Sequence, residues 1–280
     1  MTVWIGLTFL AFAVALFSTR LLIHVLRARG VLDVPNARSS HDTPTPRGGG
    51  IGILIGIGAA SAGAALMDTP LPGPGFWAGA ALIALTGWVD DRVGGLSAGL
   101  RLVLQIVAAM LALLGTGGLP TFPFPYPAGI EMGALALPLA VLWIVAVTNI
   151  YNFLDGVDGY AAVQGGIAGF TLLSLAGNAP VLGLGGVIAG ACAGFGVFNW
   201  HRARIFMGDV GSGTLGFLFA ALPFHASGMA VPEMVFVVAL ALWFFLADGV
   251  YTLLRRALKG ERIWQAHRSH VYQRLVQTSL

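Results

Sequence analysis

Residues 134–159 read ALALPLAVLWIVAVTNIYNFLDGVDG, and this stretch decides the fold. Its first part is a long apolar run of the kind that forms a helix inside a bilayer. Asn149 and Asn152 follow, three apart, so a continuing helix puts both amides on one face. Asp155-Gly156 and Asp158-Gly159 then end the helix, because glycine supplies turn conformations that other residues resist. Four oxygen-bearing side chains are thereby gathered at one end of a membrane helix, where an unpaired carboxylate is costly. A polar cap at the water boundary accounts for one or two of them, and the rest of the chain argues for more.

Of the 280 residues, 57% are hydrophobic and only 10% charged, and the mean hydropathy is +0.83. A soluble domain carries about 25% charged residues, so the expectation is an all-α integral membrane protein, a polytopic helical bundle forming one domain over 1–280. The single cysteine, Cys192, lies in an apolar run and excludes an internal disulfide framework. The first hydrophobic segment has no preceding charge and no small-residue cleavage site, so it reads as a retained helix.

Runs of about 20 apolar residues predict nine spans, near 2–26, 48–67, 75–90, 100–116, 134–152, 160–176, 180–198, 211–227 and 231–255. The connections alternate in character. One set carries Arg27, Arg29, Arg38 and Arg47, then Arg92 and Arg101, then Arg202 and Arg204, then Arg255 to Arg274. The other set, around 68–74, 117–133, 177–180 and 225–232, has no lysine or arginine. The positive-inside rule makes the basic set cytoplasmic, with an external N-terminus in a bacterial plasma (inner) membrane. Arg20 can snorkel to the same side, and His24 and His225 read as structural. The calculated isoelectric point near 9.4 then has a topological origin, and no nucleic-acid partner is implied. Glycines at 48, 52 and 56 and the run at 183–190 read as close helix packing, and TFPFPYPAG at 121–129 as an external interfacial loop.

Every motif of interest falls on the basic side. Asp90-Asp91 ends the third span in LIALTGWVDDR, where two adjacent like charges exceed what a helix cap needs. Such a pair can hold a cation or take a proton. Arg101 opens the next span, opposing the helix dipole, which an anionic partner would explain. In NWHRARIFMGDVGSGTLGF, Asp209 stands beside a small-residue helix start able to accept phosphate, a natural place for Mg²⁺. Asp209 as a simple cap is disfavoured because Ser212 is already present for that purpose. The tail AHRSHVYQRL offers His267, Arg268, His270 and Arg274, which suit an anionic phosphate or a sugar better than a transition metal.

Taken together, PTPRGGG at 44–50, VDDR, NIYNFLDGVDGYAA, FMGDVGSGTLGF and the histidine tail resemble the polyprenyl-phosphate N-acetylhexosamine-1-phosphate transferase family. The motifs span residues 41 to 274, and the branch resembled is the one that initiates O-antigen rather than the peptidoglycan translocase. The resemblance implies transfer of a sugar-1-phosphate from a UDP-sugar to undecaprenyl phosphate in the bilayer, with release of UMP. It implies Mg²⁺, or Mn²⁺ in its place, on Asp209 and Asn152, and Asp90, Asp91, Asp155 and Asp158 as the catalytic carboxylates. Asp90 would act on the acceptor phosphate, and Asp155 and Asp158 would face the nucleotide. Asn149, Arg47, Arg101, His267, Arg268 and His270 would bind substrate, and a homodimer is compatible with the family. The family usually has ten or eleven spans, so nine implies one or two fewer at the C-terminus. The competing reading is a transporter of a phosphorylated or anionic solute. Its site is expected near the midplane in repeat-related broken helices, whereas these acids sit at helix ends.

Overall fold

Each apolar run folds as helix. The computed structural model describes residues 1–35, 43–114, 116, 133–227, 231–261 and 270–278. In chain order the helices are α1 (Thr2–Ala28), α2 (Gly50–Leu66), α3 (Pro74–Val93), α4 (Ala98–Leu114), α5 (Ala136–Leu154) and α6 (Tyr160–Ser174). There follow α7 (Leu184–Asn199), α8 (Asp209–Ala221), α9 (Val231–Ala241), α10 (Trp243–Leu258) and α11 (Val271–Thr278). A short antiparallel pair, β1 (Leu32–Asp33) and β2 (Thr45–Pro46), closes the connection after α1. The proline- and aromatic-rich stretch 121–129 and Arg38 lie outside the described residues.

The nine expected segments are all helical, with one difference in form. The ninth is two helices, α9 and α10, meeting at 83°. Among the described residues, length and apolarity alone let only Thr2–Ala28, Gly133–Leu154 and Pro180–Asn199 each cross a membrane, or four segments if the bent pair counts as one. The others are short: α8 has 13 residues, about 20 Å at 1.5 Å per residue against a core of roughly 30 Å. A further helical turn, Leu222–His225, extends it.

The core is organised around α8. All its residues from Val210 to Ala221 are buried, as expected of a helix apolar on every side. It packs against α3 and α5 most extensively and also against α2. The second layer is α7, which lies against α1 and α6. Small residues allow these approaches. A Cβ at Gly190 would run into the Thr8 carbonyl, and one at Gly194 into that of Phe12. Gly52 and Gly56 likewise face Thr19 and Ala11 of α1. Gly48, expected to share that stripe, instead precedes the helix at φ +107°, where a side chain would meet nothing within 4 Å. Gly50 is the residue that meets α8, at Gly211.

One contact sets the geometry of the carboxylates. A Cβ at Gly87 of α3 would lie 2.5 Å from the carbonyl carbon and oxygen of Asp209. Gly87→Ala should therefore cost about 1–3 kcal/mol and lower the thermal midpoint in detergent. Gly58→Ala on α2, with nothing within 4 Å, serves as the neutral control. Equal midpoints for the two variants would contradict this packing.

Candidate active site

The chain between β2 and α2 is laid against the approach to α8. The Phe206 amide donates to the Pro46 carbonyl at 2.8 Å, and the Gly48 and Gly49 amides donate to the Phe206 carbonyl at 3.2 and 2.8 Å. Arg47, inside this ladder, is thereby aimed at the start of α8. Its Nε lies 2.8 Å from Asp91 Oδ1 and its terminal nitrogen 3.0 Å from Asp209 Oδ1. Burial alone would lower the Arg47 guanidinium, but the Asp91 and Asp209 charges outweigh it and hold it above the usual arginine value.

Asp90 and Asp91 take amides from different segments. The Asp91 carboxylate accepts from the amides of Asp209 at 3.1 Å and Val210 at 3.2 Å. It thus caps α8 from another helix, satisfying two of the amides that every helix start leaves open. Gly208, at φ +75° and pressed against the Asp91 carboxylate, supplies the turn that presents those amides. Ser212, expected to be available as the cap, instead donates back to the Gly208 carbonyl. Asp90 accepts from the Leu96 amide in the α3–α4 turn and lies 3.5 Å from Arg101. Arg101, whose place at a helix start called for an anionic partner, has Asp90, and Asp209 at 4.0 Å.

The Asn-rich end of α5 reaches the same place. Asn152 donates to Ser212 Oγ of α8 at 2.9 Å. Asn149 forms a reciprocal amide pair with Gln105 of α4, at 2.7 and 3.2 Å, tying α5 to α4. Both Asp-Gly pairs lie between α5 and α6, and Gly159 takes the left-handed conformation at φ +74°. The Asp155 carboxyl, just past α5, is pushed up to about 7 by burial first and then by the charge of Asp209, with Arg47 opposing. Asp158 accepts from the Ala203 amide at 2.8 Å and holds the segment between α7 and α8. Asn199 braces the same corner, accepting from the Gly159 amide and donating to the Ile205 carbonyl, each at 3.0 Å.

Charge and exposure are arranged asymmetrically. The Asp90 and Asp91 side chains are 7% exposed and Asp209 22%, against 39% for Arg47 and 36% for Arg101. An anion arriving from solvent therefore meets guanidinium before carboxylate. Asp90, Asp91, Asp155, Asp158 and Asp209 together outnumber the two arginines beside them. Among the described residues no group of three His, Cys, Asp or Glu side chains converges to hold a metal unaided. Magnesium needs only one or two protein oxygens when phosphates complete its shell, and this donor set is oxygen alone, so the residues fit it.

His267 and Arg268 lie outside the described residues. His270 is placed, and it is buried, with Nδ1 3.1 Å from Asp248 Oδ1. Asp248 was not anticipated as a functional residue. It also accepts from the Val271 amide at 2.9 Å, the Tyr272 amide at 3.0 Å and the Thr252 hydroxyl at 3.0 Å. Asp248 thus caps α11 and clamps the histidine tail to α10, while the Tyr272 hydroxyl donates to the Phe153 carbonyl at 3.3 Å beside Asp155. The signal was available: Asp248 is a lone acid in the apolar run WFFLADGVYTLL, a pattern that marks function by default.

Residues 74–227, more than half of the chain, match glycosyl transferase family 4. The chain is 31% identical over 278 residues to a probable undecaprenyl-phosphate N-acetylglucosaminyl 1-phosphate transferase of Bacillus subtilis, covering 95% of this chain and 76% of that one. It is 29% identical over 313 residues to the decaprenyl-phosphate N-acetylglucosaminephosphotransferase of Mycobacterium tuberculosis, covering 98% and 75%. A phospho-N-acetylmuramoyl-pentapeptide-transferase of Synechococcus is 38% identical over 163 residues, covering 52% of this chain and 47% of that one. The matched stretch contains the Asp90–Asp91, Asn149–Asp158 and Asp209 motifs whose side chains meet at one end of the bundle, and the chain belongs to glycosyl transferase family 4.

Proposed function

We propose that the protein transfers an N-acetylhexosamine-1-phosphate from a UDP-sugar to undecaprenyl phosphate, giving undecaprenyl-diphospho-sugar and UMP. The observation that carries this reading is the recessed carboxylate cluster behind two half-exposed arginines, at the end of a bundle of apolar helices. One substrate is a water-soluble anion and the other a long hydrocarbon with an anionic head, so chemistry at such an end serves both. The relatives' substrates support the same class. We place the site on the cytoplasmic face of a bacterial plasma membrane, with the N-terminus outside, on the strength of the one-sided arginines.

In this reaction an oxygen of the acceptor phosphate attacks the β-phosphorus of the nucleotide, and the bond from that phosphorus to the bridging oxygen breaks, leaving UMP. The nucleophile is already anionic, so positioning and charge neutralisation are the main contributions required of the protein. Arg47 and Arg101 receive the phosphates. Asp90, fixed by Leu96 and Arg101, orients the acceptor and holds its proton when it arrives protonated. Asp155 and Asp158 face the nucleotide, and His267 and Arg268 approach the sugar diphosphate on the tail that His270, buried against Asp248, holds in place. Asp209 and Asn152 would hold Mg²⁺, with Mn²⁺ as a substitute, which when bound neutralises the diphosphate and stabilises charge on the leaving UMP. Without a cation, each phosphate–carboxylate repulsion at ~4 Å would cost about 4 kcal/mol at an effective dielectric of ~20.

Membranes carrying the protein should convert labelled UDP-N-acetylhexosamine to an organic-soluble product only when undecaprenyl phosphate is supplied, with equimolar UMP released. A panel of UDP-sugars, including UDP-GlcNAc, that gave no lipid-linked label would contradict the reading.

Asp209→Ala should lose turnover at every Mg²⁺ concentration, whereas Asp209→Glu should recover part of it at high Mg²⁺. Titrating Mg²⁺ into the UDP-sugar complex of wild type and Asp209→Ala reads this directly. Identical Mg²⁺ dependence in the two would place the metal on other residues.

A further inference from the structure

A cavity of about 410 Å³ opens beside the C-terminal part of α1, lined by Arg20, Ile23, His24, Arg27, Phe198 and Arg204. It lies at the same end of the bundle as the carboxylates, yet neither α1 nor α7 contributes an acid to that cluster. Arg20, His24 and Arg27 recur at i, i+4 and i+7 and so share one face of α1. Arg204 comes from the segment before α8, its guanidinium 4.8 Å over the ring of buried Phe198. Among the described residues none of these four groups forms an ion pair with a carboxylate. The topological preference for arginine at this end explains their number. It does not explain why two distant segments bring three guanidiniums to one cavity, where an anion between them would offset their mutual repulsion.

The surface leading away from the cavity identifies what carries that anion. At about 100° per residue, Phe17 and Leu21 fall on the strip of α1 adjoining Arg20 and His24. They are 69% and 64% exposed, and Leu10, at 41%, continues the strip towards the other end of the helix. A basic cavity continuous with an exposed apolar strip fits an amphiphile with a charged head.

We propose that this cavity binds the phosphate headgroup of an anionic membrane phospholipid, with its acyl chains along Phe17 and Leu21. The site is separate from the transferase centre and does not depend on the reaction assigned to it. It is connected to that centre through one segment. Arg204 stands between Ala203, whose amide bonds Asp158, and Phe206, whose amide bonds the Pro46 carbonyl next to Arg47. A headgroup on Arg204 therefore steadies the stretch that carries both contacts.

Native mass spectrometry of the delipidated full chain in detergent tests this, with phosphatidylglycerol, phosphatidylcholine, inorganic phosphate and a short-chain polyprenyl phosphate as probes. Wild type should retain phosphatidylglycerol in preference to phosphatidylcholine. The triple variant Arg20→Gln, Arg27→Gln, Arg204→Gln should bind phosphatidylglycerol roughly a hundredfold more weakly, at about fivefold per cation. The corresponding triple lysine variant, which keeps the charge, should stay within a few-fold of wild type. Equal retention of the two phospholipids, or undiminished phosphatidylglycerol binding by the glutamine variant, would overturn the proposal. Displacement by equimolar inorganic phosphate would make this a free-phosphate site, and displacement by equimolar polyprenyl phosphate would assign it to the acceptor; either result also overturns it.

Discussion

The two hydrogen bonds from the Asp209 and Val210 amides to the Asp91 carboxylate are the joint on which the site depends. Among the described helices the one that begins there is the most buried, and its first open amides, partly buried at the joint, are met by a protein acceptor. A cap contributes about 1 kcal/mol where solvent competes, and a buried amide left unpaired costs about 1–3 kcal/mol. Supplying the cap from α3 joins two helices at the point where Asp209 must stand. Arg47 completes the joint by bridging both carboxylates, and the ladder to Phe206 keeps it from turning away.

The same device recurs at the other end of the sequence. Asp248, recessed in α10, caps α11 through the Val271 and Tyr272 amides and takes His270 on the same oxygen as Val271. In both places a membrane-level acid is satisfied by amides of a helix start, which avoids the cost of a bare buried charge. In both places the helix so anchored carries or adjoins a group assigned to the reaction, Asp209 to the metal on α8 and the histidine tail to the substrate before α11. The scaffold therefore uses carboxylates for two separate purposes, fixing helix ends and facing the chemistry.

Much of this was legible in the chain. The apolar runs located α1 to α8, and the Asp-Gly pairs marked the turn between α5 and α6, because glycine and span length are local signals. The grouping of Asp90, Asn152, Asp155 and Asp209 at one end followed from the one-sided arginines. What was not legible depended on direction. Adjacent residues on a helix point about 100° apart, so Asp90 and Asp91 make different sets of contacts, yet nothing in VDDR says which of them takes the α8 amides. The 83° break between α9 and α10 also left no mark, since Ala241, Leu242 and Trp243 are apolar on both sides of it. Nor did length reveal that α8, at 13 residues, is the buried axis rather than a lipid-facing span.

The central claim is that the adjacent aspartates divide their work: Asp91 holds α8 in place, and Asp90 acts on the acceptor. Turnover and thermal midpoint measured side by side for Asp90→Asn and Asp91→Asn test it most directly. Asp90→Asn keeps the Leu96 bond through its amide oxygen and loses only the long 3.5 Å pair with Arg101, so it should melt closer to wild type than Asp91→Asn does, while turnover is abolished. Asp91→Asn satisfies only one of the two α8 amides and loses the pair with Arg47, so it should melt lower and keep part of its turnover. Wild-type melting with no turnover for Asp91→Asn, together with an active Asp90→Asn, would contradict the account.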